Sequence, residues 1–372
     1  MPETSAGSEL TPAPTDAHVL SATPLDPACL TSDLPAVGGA IGPNVEPFVV
    51  DELPAYLPSG TGEHWYVRVE KRGLTTLDLV RGLSRVAGVE ERDIGHAGMK
   101  DKQAVTSQWL SLPGSAAAPE TWELPDSVRV LEVSRHINKL RTGHLRGNRF
   151  SITLVGVSDG ALQNARAIAA RLSDTGLLNY FGAQRYGRGG ENLGRAREWL
   201  RSGGRRRLSR FLLKLLPSVV QSEVFDRYLA LRAARGLHEL FAGEVVRLEG
   251  SSAHFLVEDA QLERPRLTRS EIHLTGPMPG PKMRAAHGLP AELEREAIAA
   301  AELDQAMLQV LAQFAPGARR DLLVRPQELE VEAPEPGQLV LKFGLPAGSY
   351  ATVLVREFTR AARLAPEERS GE

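Results

Sequence analysis

The chain has 372 residues, 42% of them apolar and 24% charged, with a formal net charge of −2. That length suits two domains with packed cores, and the near-neutral charge means that any polyanionic partner must be met by local patches. Cys29 is the only cysteine, which excludes an intrachain disulfide and a thiolate zinc site. No apolar run approaches the ~20 residues of a membrane helix, and no basic start precedes an apolar core as in a secretory signal. The expectation is a cytoplasmic protein with no membrane attachment.

Residues 1–30 are rich in Pro, Thr, Ser, Ala and Asp without an apolar period, and read as a disordered N-terminal extension. Phe48–Glu52 is a short apolar run suited to a strand. His64–Lys71 alternates, with Trp65, Val67 and Val69 opposite Tyr66, Arg68 and Glu70, and predicts a second strand. Thr75 and Asp78 have capping-box spacing, and Leu79, Val80, Leu83 and Val86 follow at helical spacing up to Gly88.

The stretch Ile94–Pro113 stands out chemically. Gly95 and Gly98 imply a turn, then Asp101 sits between Lys100 and Lys102, and Thr106–Leu112 has strand composition. Neighbouring side chains of an extended segment point to opposite sides. Asp101 can therefore face a pocket while Lys100 and Lys102 face an anionic partner; taken alone, the stretch reads more readily as a solvated Lys-Asp-Lys turn. Further on, Arg135–Arg149 holds five Lys or Arg, two His and no carboxylate, and runs into a strand at Phe150–Val155. Ala161–Asp174 reads as a helix closed by Gly176.

Between Gly182 and Lys214 ten Lys or Arg face two Glu, with Arg205, Arg206 and Arg207 consecutive after a Gly-Gly break. Such a run is either a solvated helix face or a polyanion contact. Helical text returns at Val219–Ala234 and Glu292–Phe314, and Glu244–Glu249 is strand-like. Gly276–Lys282 reads as a rigid loop; its prolines remove the N–H donors a phosphate cradle needs. Leu339–Phe343 predicts a strand, and a turn carrying Ser349 as helix cap and Tyr350 leads into a helix at Ala351–Arg363. No metal-ligand spacing or nucleophile elbow is present, so no metal is expected.

Four separated segments carry a resemblance: Gly95–Thr106 (GHAGMKDKQAVT), Gly143–Phe150 (GHLRGNRF), Asn179–Gly187 (NYFGAQRYG) and Leu345–Thr352 (LPAGSYAT). In this order they resemble the tRNA pseudouridine synthase D family, over about Leu30–Phe358. The resemblance implies an α+β fold: a catalytic domain on a mixed, largely antiparallel sheet, built from residues 31–175 and 325–363. An α/β TRUD-type domain would be inserted at 176–324, and 364–372 would be a polar tail.

It further implies isomerisation of uridine to pseudouridine at position 13 of tRNA, without cofactor or obligate protein partner. The motif aspartate falls on Asp101. Asn148, Phe48, Phe150 and Tyr350 fall on the substrate pocket, and Lys100, Lys102, Arg146, Arg185 and Arg205, Arg206 and Arg207 are the candidate RNA contacts. An ionised Asp101 could attack C1′ or remove the C2′ proton. Where the family places a lysine, six residues before Phe48, this chain has Gly42, and Glu46-Pro47 alters the acidic pair before Phe48. A site cation is expected to be missing, or replaced by an arginine from elsewhere. The alternative reading is an RNA-binding or RNA-folding protein that keeps the scaffold without efficient catalysis.

Overall fold

Hydrophobic alternation and a few caps set most elements of the computed structural model, which describes residues 28–361. The first half supplies β1 (Gly38–Ile41), β2 (Phe48–Pro54), β3 (His64–Arg72), β4 (Gly95–His96), β5 (Val105–Pro113), β6 (Val128–His136), β7 (Leu145–Val157) and β8 (Leu177–Leu178). Then come β9 (Val245–Leu248), β10 (His254–Leu256), β11 (Ile272–Met278) and β12 (Ala318–Asp321). The last strands are β13 (Leu323–Val324), β14 (Gln327–Glu332) and β15 (Gln338–Pro346). The chain divides into two compact units, one made of residues 29–179 with 323 onward and the other of Tyr180–Leu322.

The first unit is organised on a nine-stranded sheet with the order β14-β15-β7-β2-β5-β3-β6, with β1 on β7 and β4 on β5. β2 and β5 run parallel, and the other pairs of this sheet are antiparallel. The fold is α+β. Helix Thr76–Ala87 begins at a capping box, in which Thr75 accepts from the Asp78 amide and the Asp78 carboxylate accepts in return. It ends where Gly88 takes φ 66°, a left-handed conformation that costs a glycine little. Its Leu79, Val80, Leu83 and Ala87 pack on Val67, Val69, Leu110 and Leu112, each large side chain contributing roughly 1.5–3 kcal/mol of transfer free energy. Helix Ala161–Thr175 buries Ala165, Ile168, Ala169 and Leu172 at helical spacing.

In the second unit β10-β9-β11-β12 form a four-stranded antiparallel sheet. The long helix Arg210–Ala233 packs on it, burying Val224, Phe225 and Tyr228. The segment expected to be a loop at Gly276–Lys282 begins as strand, since β11 runs to Met278. Gly276 lies beneath the helix, where a Cβ would come within 2.9 Å of Phe225 and Leu322. Among the described residues no helix is long and apolar enough to cross a membrane.

Other boundaries differ from the expected ones. Of the extension expected over residues 1–30, the part up to 27 lies outside the described residues. Ala28 and Cys29 are buried, and the Leu30 amide donates to Glu357 at 2.9 Å. The last helix covers Ala351–Thr359 and stops four residues early, because Arg360 adopts φ 56°. The tail at 364–372 lies outside the described residues.

Candidate active site

The site is assembled around the segment between β4 and β5. Gly95 and His96 pair with Ser111 and Leu110, and Gly95 has no room for a side chain against the Leu140 carbonyl. From there the chain crosses to Val105 through residues 97–104, tied down at several points. The Gly143 amide donates to the Ala97 carbonyl at 2.7 Å. The Lys100 amide donates to Thr76 Oγ1 at 2.8 Å, and that hydroxyl donates to Gln108 Oε1 at 2.9 Å.

Two buried lysines hold the loop from below. Lys71, wholly buried on β3, donates to the Leu74 carbonyl at 2.5 Å and to the Asp101 carbonyl at 2.9 Å. Burial pushes its ammonium down to about 8, with the Asp101 charge working the other way. The Lys100 ammonium donates to Asn148 Oδ1 at 2.7 Å and lies 2.9 Å from Glu52 Oε2, an ion pair whose side chains are 5% and 1% exposed. Glu52 is fixed through its other oxygen, which accepts from the Trp109 amide at 3.1 Å. His96 is half-buried beside this group, and burial lowers its pKa.

The expected division of labour around Asp101 is thus partly reversed. Lys100 is an internal cation, not an RNA-facing one, because Glu52 and Asn148 claim it. Asp101 and Lys102 are the exposed members of the triplet. The register explains why Asn148 is close: it pairs with Glu52 across β2 and with Leu345 across β15. Two rungs away Phe150 pairs with Val50 and Phe343. Its ring stacks on Phe343 at 5.2 Å and meets the edge of Phe48 at 6.3 Å. Phe150 is buried and Phe48 half-buried.

The segment bearing Tyr350 reaches the same end of the sheet. Pro346 pairs with Gly147, and the Ala347 amide donates to the Arg146 carbonyl at 3.0 Å. Ser349 does not cap the following helix. Tyr350 occupies the N-cap position without a side-chain cap bond, and the Ser349 hydroxyl donates instead to Asn179 Oδ1 at 3.1 Å. Arg146 is exposed at the start of β7.

The family model for tRNA pseudouridine synthase D (TruD) matches residues 25–193 and 199–358. The chain belongs to the tRNA pseudouridine synthase D family. It is 44% identical to the tRNA pseudouridine synthase D of Anaeromyxobacter sp. (strain Fw109-5), over 92% of this chain and 98% of that one. It is 41% identical to a tRNA pseudouridine synthase D of Thermus thermophilus, over 92% and 96%. A Methanosarcina mazei structure carrying the same family name superposes with a TM-score of 0.70, covering 91% of this chain and 97% of that one at 23% identity. The likeness to that structure shows the shared fold. As a member of this synthase family the chain is an isomerase.

Against the synthase family's pattern, Gly42 now has a physical account. It is buried, and a Cβ there would lie 2.6 Å from Cγ of Pro47. The proline that replaces one of the acidic pair therefore occupies the space a longer side chain at 42 would need. Among the described residues, Lys71 and Lys100 are buried cations at the Asp101 loop.

The arginines of the inserted segment are less bare than the sequence between Gly182 and Lys214 suggests. Arg197 pairs with Glu223 at 2.6 Å, Arg201 with Glu302 at 3.5 Å and Arg206 with Glu198 at 2.7 Å. Two of those three carboxylates lie outside that stretch. Arg205 and Arg207 are exposed, while Arg185 is half-buried and donates to the Ser222 hydroxyl at 3.2 Å. Part of the Asn179–Gly187 motif has a structural task. Phe181 donates its amide and Tyr186 its hydroxyl to buried Asp226, whose carboxyl is pushed by burial up to about 8.

Sequence reasoning missed Glu52, Lys71, Thr76 and His96 as members of this site. For Lys71 the signal was present: it continues the Val67, Val69 face of β3, so the alternation places it toward the core. A charge at a buried strand position is a site marker.

Proposed function

We propose that this chain converts uridine to pseudouridine in tRNA, at position 13, with Asp101 as the reacting carboxylate. The observation that carries the reading is the meeting of three of the family's motif segments, Gly95–Thr106, Gly143–Phe150 and Leu345–Thr352, at one end of one sheet. There the Asp101 loop is tied by its own carbonyl to Lys71, and its neighbour Lys100 fixes the Asn148 amide. The isomerisation breaks the N1–C1′ bond, forms C5–C1′ and moves a proton from C5 to N1. Atoms and electrons balance within the nucleoside.

The residues divide the work. Asp101, exposed on its loop, attacks C1′ or takes the C2′ proton. Lys100 orients the Asn148 carbonyl oxygen, which leaves the Asn148 amide N–H groups to hold the detached uracil. Phe48 and the Tyr350 segment supply apolar walls that offset the unstacking of the target base. Asp101→Asn removes the nucleophile or base while keeping shape. It is expected to abolish pseudouridine formation in unmodified tRNA and to leave RNA affinity within severalfold. Turnover near wild type would remove Asp101 from the mechanism. Modification of a uridine other than 13 would overturn the positional assignment.

A further inference from the structure

Next to the Asp101 site the same end of the sheet carries a cavity of about 590 Å³, walled by Leu53, Tyr56, Leu57, Arg146, Gln327 and Pro346. It begins one rung from Asn148, since Leu53 and Pro346 both pair with Gly147. Tyr56 and Leu57 project from the end of β2 with 36% and 74% exposure. Tyr56 is nevertheless held in place. Its hydroxyl lies 2.8 Å from His144 Nδ1, and its ring stacks on His136 with centroids 5.2 Å apart. An aromatic fixed before binding loses little conformational entropy on binding. The wall contains one cation, Arg146, and no carboxylate.

We propose that this cavity is a second nucleotide subsite, taking one unstacked nucleotide of the substrate RNA that flanks the target uridine. Its base would lie against Tyr56 and Leu57, and its phosphate at Arg146. The assignment rests on the tRNA substrate proposed above. A nucleic-acid occupant is favoured by charge, by the aromatic platform and by continuity with the Asp101 site. A single exposed arginine is a poor cradle for a free nucleotide, whereas a tethered one is delivered by the rest of the RNA. Stacking on an aromatic tolerates every base, so the subsite senses an unstacked neighbour and not its identity.

The test measures binding of unmodified tRNA and of two transcripts made abasic at the 5′ or the 3′ neighbour of the target. One abasic substitution should weaken binding to the wild-type protein by roughly 5- to 150-fold, the range for loss of a stacked base. Tyr56→Ala should bind intact and abasic RNA within about twofold of each other, while Tyr56→Phe keeps the discrimination. Arg146→Ala should lower the slope of log affinity against log salt by about 0.7.

Wild-type protein indifferent to both abasic changes would overturn the subsite. So would Tyr56→Ala that binds more weakly yet keeps the full abasic penalty, or saturation by UMP alone without competition from tRNA. Binding and conversion are read separately. An abasic penalty without any pseudouridine formation sinks the isomerase reading and keeps the subsite. Pseudouridine formation without the penalty does the reverse.

Discussion

Replacing Glu52 by Gln leaves the Lys100 ammonium buried with one neutral acceptor, Asn148, and tests how the site is held together. The substitution preserves the acceptor that Glu52 offers the Trp109 amide at 3.1 Å, so the change is confined to the charge facing Lys100. With side chains 5% and 1% exposed the pair is cut off from water. Removing one partner of such a pair typically costs about 3–5 kcal/mol, because the other charge stays desolvated. For a unit of this size each kcal/mol lowers Tm by about 2–4 °C, so Glu52→Gln should melt roughly 6–20 °C below wild type. Lys100→Met should destabilise similarly. The double variant should regain most of the loss, since a neutral pair of similar volume has no charge to solvate. Its activity should stay low, because nothing then orients the Asn148 amide. The assay is thermal denaturation of all four proteins beside pseudouridine formation. A Glu52→Gln shift below about 2 °C would mean that the ammonium reaches water, and a double variant no more stable than the singles would refute the charge argument.

Four other outcomes are expected. Lys71 loses its proton near pH 8 when folded and near 10.5 when unfolded, so the unfolded chain binds more protons between those values and wild-type stability should rise across that window. The rise relative to Lys71→Met should total about 3 kcal/mol by pH 10.5, and equal pH profiles for the two proteins would show that Lys71 is solvated. Replacing Arg205 and Arg207 by Ala should lower the log–log salt slope of RNA binding by roughly 0.7–0.9 for each phosphate no longer neutralised, whereas Arg206, paired with Glu198, should contribute less; an unchanged slope assigns the run to solvent. Tyr350→Ala should reduce kcat/KM by roughly 5- to 150-fold and Tyr350→Phe should retain most activity; a loss that only tracks Tm makes Tyr350 a packing residue. Gly42→Lys should cost about 1–3 kcal/mol by collision with Pro47, and Pro47→Ala in the same chain should recover it, as denaturant midpoints would report.

Long elements were legible because local chemistry and burial agreed. The Thr75–Asp78 box, the β3 alternation and the Ala161–Thr175 spacing each carry enough apolar side chains to specify one face. Two-residue strands such as β4, β8 and β13 were not legible, since they exist only where a partner strand meets them. The last helix was overextended because Arg360 is neither Gly nor Asn, the residues that usually mark a left-handed end. Asp101 and Asn148 were singled out through motif text. The network beneath them was hidden for a physical reason. Lys100 and Glu52 look like surface charges until the pairing of β2 with β7 places Asn148 opposite Glu52. The pairing of Arg197 and Arg201 was hidden in the same way, because their partners Glu223 and Glu302 lie beyond the basic stretch itself.

The β7–β15 pairing sets a timetable for synthesis. β7 emerges with Asn148 and Phe150, and their partners Leu345 and Phe343 follow roughly two hundred residues later. At about 5–20 residues per second the ribosome needs roughly 10–40 seconds to deliver them. Throughout that interval one edge of β7 offers unpaired backbone groups to any neighbouring strand, the condition under which nascent chains aggregate. The inserted unit, contiguous in sequence, can fold while the first waits. A ribosome-bound chain halted before β15 would thus carry Asp101, Lys71 and Glu52 without the strand that completes their surroundings.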